Sequence, residues 1–343
     1  MSFDGQLRIT NNGQSYREYV AECIGLATLA LLLILLIGCQ AAIYLPASPD
    51  ESETASAITE VFPTRISGLN PVPSVTLALL GDVMLGRSVR PSSETFSYLE
   101  PYLTSADLAL ANLESPLTNA PVETESPYAL CAPPENVKYL VDAGFDLLAL
   151  ANNHSLDCGP TGLAETRSTL TNAELDFIGP DPETVYRLVN GIQLAFLAFD
   201  ATGGFDIETA VQAVRLAREA DAVVVVSMHW GAEYQAGAST GQKQIAEHLT
   251  DAGATLIWGH HPHVLQPAEW KHTGKAPVLY SLGNALFDQY GLENTRQSAL
   301  VLVRLGPRSV QELEVIPFLI DFRDSRIVQA GPADTQVIMK YFK

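Results

Sequence analysis

Lysine and arginine are scarce in this chain: 20 against 39 aspartates and glutamates, for a formal charge of −19. A surface so poor in cations cannot neutralise a phosphate backbone, which excludes a nucleic-acid partner. Charge of either sign is sparse as well, 17% of residues against roughly 25% in an average domain. The acidity therefore reflects missing cations and not a highly charged, disordered chain. The phosphate-cradling run Gly-x4-Gly-Lys-Ser/Thr is also missing, so ATP-driven ligation would have to come from another protein. With 343 residues, 47% of them hydrophobic, there is length for one large or two small domains around a buried core.

Cysteine is rare too, with four in all. Cys23 and Cys39 flank or follow the one long apolar run, residues 24–37 (IGLATLALLLILLI), which Arg8 and Arg17 precede as in a secretory signal. At 14 residues the run is short for a membrane span; extended to Leu45 it approaches the ~20 that a spanning helix needs. Leu36-Ile37-Gly38-Cys39 resembles a bacterial lipobox, which implies lipidation at Cys39. Residues 1–45 thus read as a signal, lipoprotein or membrane-anchor segment, and the protein as extracytoplasmic and membrane-attached. Residues 46–74, rich in Pro, Ser, Thr and Glu, read as a disordered linker with a reach of about 30 Å. The remaining pair, Cys131 and Cys158, could bridge in an oxidising compartment or stay as two buried thiols.

From residue 75 to 343 a single α/β domain is expected. Near-continuous apolar strand cores fall at 75–80, 108–111, 147–151, 192–199, 222–226, 255–258, 278–281 and 299–303. Helical spacing fills 135–143, 161–172, 207–220 and 241–252. Asp142-Ala143-Gly144, Asn172-Ala173-Glu174 and Asp251-Ala252-Gly253 are helix stops. The tail, 311–330, reads as antiparallel strands around Asp324-Ser325.

Six strand ends finish on polar or metal-ligand residue types: Gly81-Asp82, Asn112-Leu113-Glu114, Asn152-Asn153-His154, Met228-His229, Gly259-His260-His261-Pro262-His263 and Ser281-Leu282-Gly283-Asn284. Ligands of open α/β sheets bind outside the carboxyl ends of strands, so six such ends imply one site. Five of the seven histidines sit there. Imidazoles mixed with hard oxygens and no thiolate fit Mn, Zn or Fe, and the set exceeds one tetrahedral shell, so two divalent ions are expected. Plainer roles stay open: Asp82, Glu114 and Asn153 as turn residues, His154 and His229 as satisfied core histidines. His260 is expected beside the ligands and not among them.

The ordered series Gly81-Asp82, Asn112-Leu113-Glu114-Ser115-Pro116, Asn152-Asn153-His154-Ser155-Leu156-Asp157, His229-Trp230-Gly231 and His261-Pro262-His263-Val264 resembles the CapA family of poly-γ-glutamate capsule synthesis. That family is similar to the calcineurin-like metallophosphatases. The resemblance implies a metallophosphatase-like four-layer α-β-β-α sandwich after an N-terminal membrane-targeting helix. It implies that Asp82 and His263 hold one metal, that Asn153, His229 and His261 hold the second, that Glu114 bridges, and that His154 is the proton donor or transition-state stabiliser. Arg87 and Asn284 are candidates for contacting an anionic polymer or phosphoester substrate. Two departures stand out: Met84 takes the place of an imidazole in Asp-x-His, and Glu114 that of a bridging Asp. The function implied is an envelope-anchored part in poly-γ-glutamate synthesis or export, alongside synthase membrane subunits, with hydrolysis of a phosphoester or γ-glutamyl amide. The alternatives are a phosphoesterase unrelated to capsule and a non-catalytic polymer-binding subunit.

Overall fold

The computed structural model of the chain describes residues 72–343 apart from Ser126, Pro182 and Thr273. The targeting run, its expected helix, the lipidation candidate Cys39 and the linker up to residue 71 lie outside the described residues. Among the described residues no helix is long and apolar enough to cross a membrane.

The strands are β1 (Val75–Val83), β2 (Leu108–Leu113), β3 (Leu147–Ala149), β4 (Asp176–Ile178), β5 (Val185–Val189), β6 (Ile192–Asp200), β7 (Val223–His229), β8 (Leu256–His260), β9 (Leu265–Lys271), β10 (Ala276–Leu282), β11 (Asn284–Leu286), β12 (Gln297–Leu305), β13 (Val310–Asp321) and β14 (Arg326–Gln329). The helices are α1 (Glu100–Ser105), α2 (Val137–Ala143), α3 (Gly159–Asn172), α4 (Ile207–Glu219), α5 (Thr240–Ala252) and α6 (Pro332–Ile338). One sheet runs β14-β13-β12-β1-β2-β3-β4, with β11 also pairing β1; the other runs β5-β6-β7-β8-β10-β9.

Strand periodicity explains the layering. Along β1, Leu77 and Leu79 join Phe196, Val225 and Trp258 of the other sheet in one core, whereas Ala78 and Leu80 join Leu103, Leu140 and Leu170 of α1, α2 and α3 in a second. On the second sheet Leu197, Val224 and Val226 point the other way, onto Val214 of α4 and Leu249 of α5. Both faces of the central strands are thus buried, which is why they read as unbroken apolar runs. Each fully buried side chain contributes about 1.5–3 kcal/mol. The result is an α/β sandwich: two sheets face to face, with helices packed on the outside of each.

The helix expected at 135–143 begins with a 3-10 turn, Pro134–Asn136, before α2. α2 and α5 stop on Gly144 and Gly253, both left-handed at φ 88° and 118°. α5 starts on a capping box in which the Ser239 hydroxyl accepts from Gln242 N–H at 3.2 Å and the Gln242 amide oxygen accepts from Ser239 N–H at 2.9 Å. Cys131 and Cys158 form a disulfide with their Cα atoms 6.4 Å apart.

Candidate metal centre

The strand ends converge. β12 pairs with β1 from Val75 to Leu79, and beyond that point β11 takes over the same strand, placing Asn284 opposite Asp82. The exchange is tight: Asp82 N–H donates to the Gly283 carbonyl at 3.0 Å, and a Cβ at Gly81 would lie 1.8 Å from that oxygen. Only glycine allows this approach. In the second sheet β6, β7 and β8 run parallel, with Asp200, His229 and His260 in one row. The chain then turns through His261 and His263, both at positive φ, 91° and 57°. Such backbone costs about 1–3 kcal/mol per residue and concentrates at functional sites.

Glu114 is the hub. Ligand atoms of Glu114, His229 and His261 lie within 4.8 Å of one another, and so do those of Asp82, Glu114 and His263. Glu114 Oε1 is 3.6 Å from His229 Nε2, 3.8 Å from His263 Nε2 and 3.9 Å from His154 Nε2. Among the described residues, neither oxygen of this fully buried carboxyl has a hydrogen-bond partner, nor does Nδ1 of buried His261. Buried polar atoms are otherwise almost always paired, so these are donors that a cation would satisfy. Asn153 Oδ1 adds a further oxygen, 2.7 Å from His229 Nε2.

A network behind these groups holds them. Asn112 Nδ2 donates to Asp82 Oδ1 at 2.8 Å. Asn152 Nδ2 donates to Asn112 Oδ1 at 3.1 Å and to the Leu113 carbonyl at 2.9 Å. His154 Nδ1 is 2.8 Å from Asp157 Oδ2, which also accepts from Leu130 N–H at 2.8 Å. A carboxylate on Nδ1 fixes the ring so that Nε2 faces Glu114.

Burial opposes ionisation of Asp82, but the imidazoles of His260 and His263 outweigh it and hold the carboxyl well below the ordinary range. Burial, then the charge of Asp82, pushes Glu114 well above it. Burial holds His229 well below the usual histidine value and, together with the charge of His263, lowers His261. Burial also works against charge on His263, yet Glu114 and Asp82 prevail and raise it to about 9. Opposed shifts among packed titratable groups mark sites that bind or react.

A cavity of about 480 Å3 opens over this cluster, with Arg87, Asn153, His154, Glu233, Tyr234 and His263 on its walls. A larger surface hollow, about 610 Å3, shares no residue with it and holds Arg167 and Arg187, already paired with Asp181 and Asp176.

Residues 76–289 match the family described as bacterial capsule synthesis protein PGA_cap. The chain belongs to this family. Its relatives include the PGA biosynthesis protein CapA of Bacillus subtilis (strain 168), 35% identical over 272 residues and 71% of each chain. The capsule biosynthesis protein CapA of Bacillus anthracis is 35% identical over 283 residues, 72% of this chain and 67% of the relative. A crystal structure of a hypothetical protein from Thermus thermophilus shares the fold, with a TM-score of 0.50 at 16% identity over 71% of this chain and 99% of that one.

Within this member of the capsule-synthesis family, Asp82, Glu114, Asn153, His154, His229, His261 and His263 are brought together. Asn284 corrects an expectation: it does not face the cavity. It is fully buried and its amide is committed to His263 Nδ1 at 2.9 Å, Gln289 Oε1 at 2.9 Å and the Thr295 carbonyl at 3.0 Å. Arg87 does line the cavity, clamped by Asp288 with its guanidinium 5.4 Å over the Phe287 ring. Met84 is buried in the apolar core, its sulfur accepting from Gly86 N–H at 3.1 Å. His260 is closer to the centre than expected: Nδ1 lies 3.4 Å from Asp82 Oδ1 and the ring packs on the edge of Trp258. Asn112, Asn152 and Asp157 lie inside the sequence's motif series but were given no role by it, and Glu233 lies outside that series.

Proposed function

We propose that this protein is a CapA-like, envelope-anchored component of poly-γ-glutamate synthesis or export that carries a dinuclear metallohydrolase centre. The observation that carries the reading is Glu114: two ligand groups share it, and both of its oxygens are buried without hydrogen-bond partners among the described residues. In this reading Asp82 and His263 hold one divalent ion, Asn153, His229 and His261 hold the other, and Glu114 serves both. Mn, Zn or Fe suits such mixed oxygen and imidazole donors. Bound ions supply Lewis acidity toward the reacting oxygen and lower the pKa of coordinated water.

The chain's own groups do the rest. His154, oriented by Asp157, presents Nε2 beside Glu114 and can give a proton to the departing group. Arg87, held by Asp288, presents positive charge to an anionic substrate. The surface as a whole is acidic and repels a polyanion at long range, so polymer binding has to rest on Arg87 and on the charge at the centre. The names of the Bacillus relatives, a PGA and a capsule biosynthesis protein, favour poly-γ-glutamate over an unrelated phosphoester; synthase membrane subunits are the partners this reading expects.

Lipidation at Cys39, or an uncleaved N-terminal helix, would attach the protein to the membrane. The Cys131–Cys158 disulfide supports an oxidising, extracytoplasmic location. A Cys39→Ala variant that is processed and membrane-attached like wild type would remove the lipoprotein reading.

The test of the enzyme reading is to load the full-length chain with Mn2+ or Zn2+ and assay it against a generic phosphodiester and poly-γ-glutamate, with His261→Ala beside it. Hydrolysis of the polymer that is lost in the variant is expected. No metal uptake and no hydrolysis would leave the second reading, a non-catalytic polymer-binding subunit, which the buried Met84 favours.

A further inference from the structure

The segment after β7 is bound to the histidine turn after β8. Gly231 has φ 90° and Tyr234 φ 62°, a Cβ at Gly231 would meet the Gln242 side chain at 2.8 Å, and Tyr234 N–H donates to the Pro262 carbonyl at 2.8 Å. The backbone of residues 231–234 is therefore fixed relative to His261 and His263, and with it Glu233. The Tyr234 hydroxyl accepts from Gln289 Nε2 at 3.2 Å.

The consequence is geometric. An oxygen of Glu233 and one nitrogen each of His261 and His263 lie within 4.8 Å of one another. Those histidines belong to different ligand groups, His261 with Glu114 and His229, His263 with Asp82 and Glu114. Glu114 meets them from the buried side and Glu233, exposed on the cavity wall, from the solvent side. His261 is more than nine-tenths buried and its Nδ1 has no hydrogen-bond partner among the described residues. Meanwhile the position where the wider metallophosphatase pattern places an imidazole is the buried, core-packed Met84.

We propose that Glu233 is a further metal ligand, a solvent-side carboxylate that works with His261 and His263 and adds the donor that Met84 does not supply. This rests on the metal-centre reading above. A third carboxylate beside Asp82 and Glu114 shifts the donor set toward oxygen, which favours Mn2+ relative to Zn2+.

Metal titration of the full-length chain, stripped with a chelator, tests this without using activity. Glu233→Gln keeps the shape and removes the charge; because Glu233 is exposed, the stripped variant should melt like wild type. Calorimetry with Mn2+ and with Zn2+, and metal content after desalting, should show Mn2+ binding weakened at least about tenfold or one equivalent lost, with a smaller change for Zn2+. Glu233→Asp should recover part of the loss. Wild-type Mn2+ affinity and stoichiometry in Glu233→Gln would overturn the assignment, and so would an unchanged metal profile accompanied only by a raised KM. If wild type and His229→Ala alike bind no divalent ion, the metal-centre reading itself falls, an outcome distinct from Glu233 alone being silent.

Discussion

Asn284 dictates which nitrogen His263 can offer. The Asn284 NH2 group donates to Gln289 Oε1 and to the Thr295 carbonyl, so its oxygen is the atom facing His263 Nδ1 at 2.9 Å. An amide oxygen only accepts, which places the imidazole proton on Nδ1, between Asn284 and Asp82, and leaves Nε2 directed at Glu114. Groups of this kind, which orient a ligand from behind, commonly govern affinity for the ion.

Asn284→Ala should therefore weaken divalent-metal binding by about 10- to 100-fold. It should also cost roughly 1–3 kcal/mol of stability, because partners of a buried amide lose their bonds. Calorimetric metal titration and a urea melt of the same preparation check the two effects separately. An unaltered metal affinity would mean that His263 needs no orienting partner.

Gly81→Ala should be far more damaging than its size suggests. The new methyl would lie 1.8 Å from the Gly283 carbonyl oxygen, at the point where β11 replaces β12 along β1. Relief requires the strand carrying Asp82 and the one carrying Asn284 to separate. A loss of at least about 3 kcal/mol is expected, at or beyond the usual range for overpacking, together with weaker metal uptake. Gly291→Ala, where an added Cβ meets nothing within 4 Å among the described residues, is the control and should be near neutral in the same urea titration.

Much of this arrangement was legible in the sequence because burial on both faces leaves an unmistakable trace. The eight apolar runs all became strands, and polar residues at their ends converge on one buried cluster. What escaped was short or ambiguous. β4 and β11 have three residues each, too few to show a period, and β9 (LQPAEWK) carries a proline and alternating polarity. Asn284 looked like a cavity-lining residue because its partner His263 lies 21 positions away and no local pattern links them. Glu233 sits in an exposed loop, where a lone acid looks like ordinary surface; only the fold shows that it overhangs two histidines. His260 was expected among the supporting groups, yet its contact with Asp82 needed the packing of β8 against β1 of the other sheet to become visible.

The Cys131–Cys158 disulfide closes a loop of 27 residues, for which chain entropy gives about 3–4 kcal/mol. The double variant Cys131→Ser, Cys158→Ser should lose stability of that order. The effect should also reach the centre. Cys158 directly follows Asp157, whose carboxylate ties Leu130, next to Cys131, to His154. Freed of the cross-link, that triangle should loosen, so the turnover of any metal-loaded activity should fall more than metal content does. Equal stability with and without reductant would show that the cross-link contributes nothing.

Protons and cations compete for the same atoms, which sets the pH behaviour of the metal-free protein. His263 is raised from 6.5 to about 9, so its stabilisation is fully present below about pH 6.5 and is lost as pH rises through about 9. Glu114, pushed up by burial and by Asp82, has the same sign, but its contribution begins to be lost once pH rises above the ordinary carboxylate value. His229 and His261 are lowered and act oppositely, but only below about pH 6.5, where the unfolded chain takes up their protons. Between pH 6.5 and 9 the stripped protein should therefore lose stability, by on the order of 3 kcal/mol from His263 alone at 1.36 kcal/mol per unit. Adding Mn2+ should flatten that slope, since a bound ion replaces the proton, and apparent metal affinity should rise about tenfold per pH unit for each proton displaced. Thermal melts with chelator and with excess Mn2+ across this window decide the matter. A stripped protein whose stability is level or rising there would show that His263 does not hold the proton assigned to it.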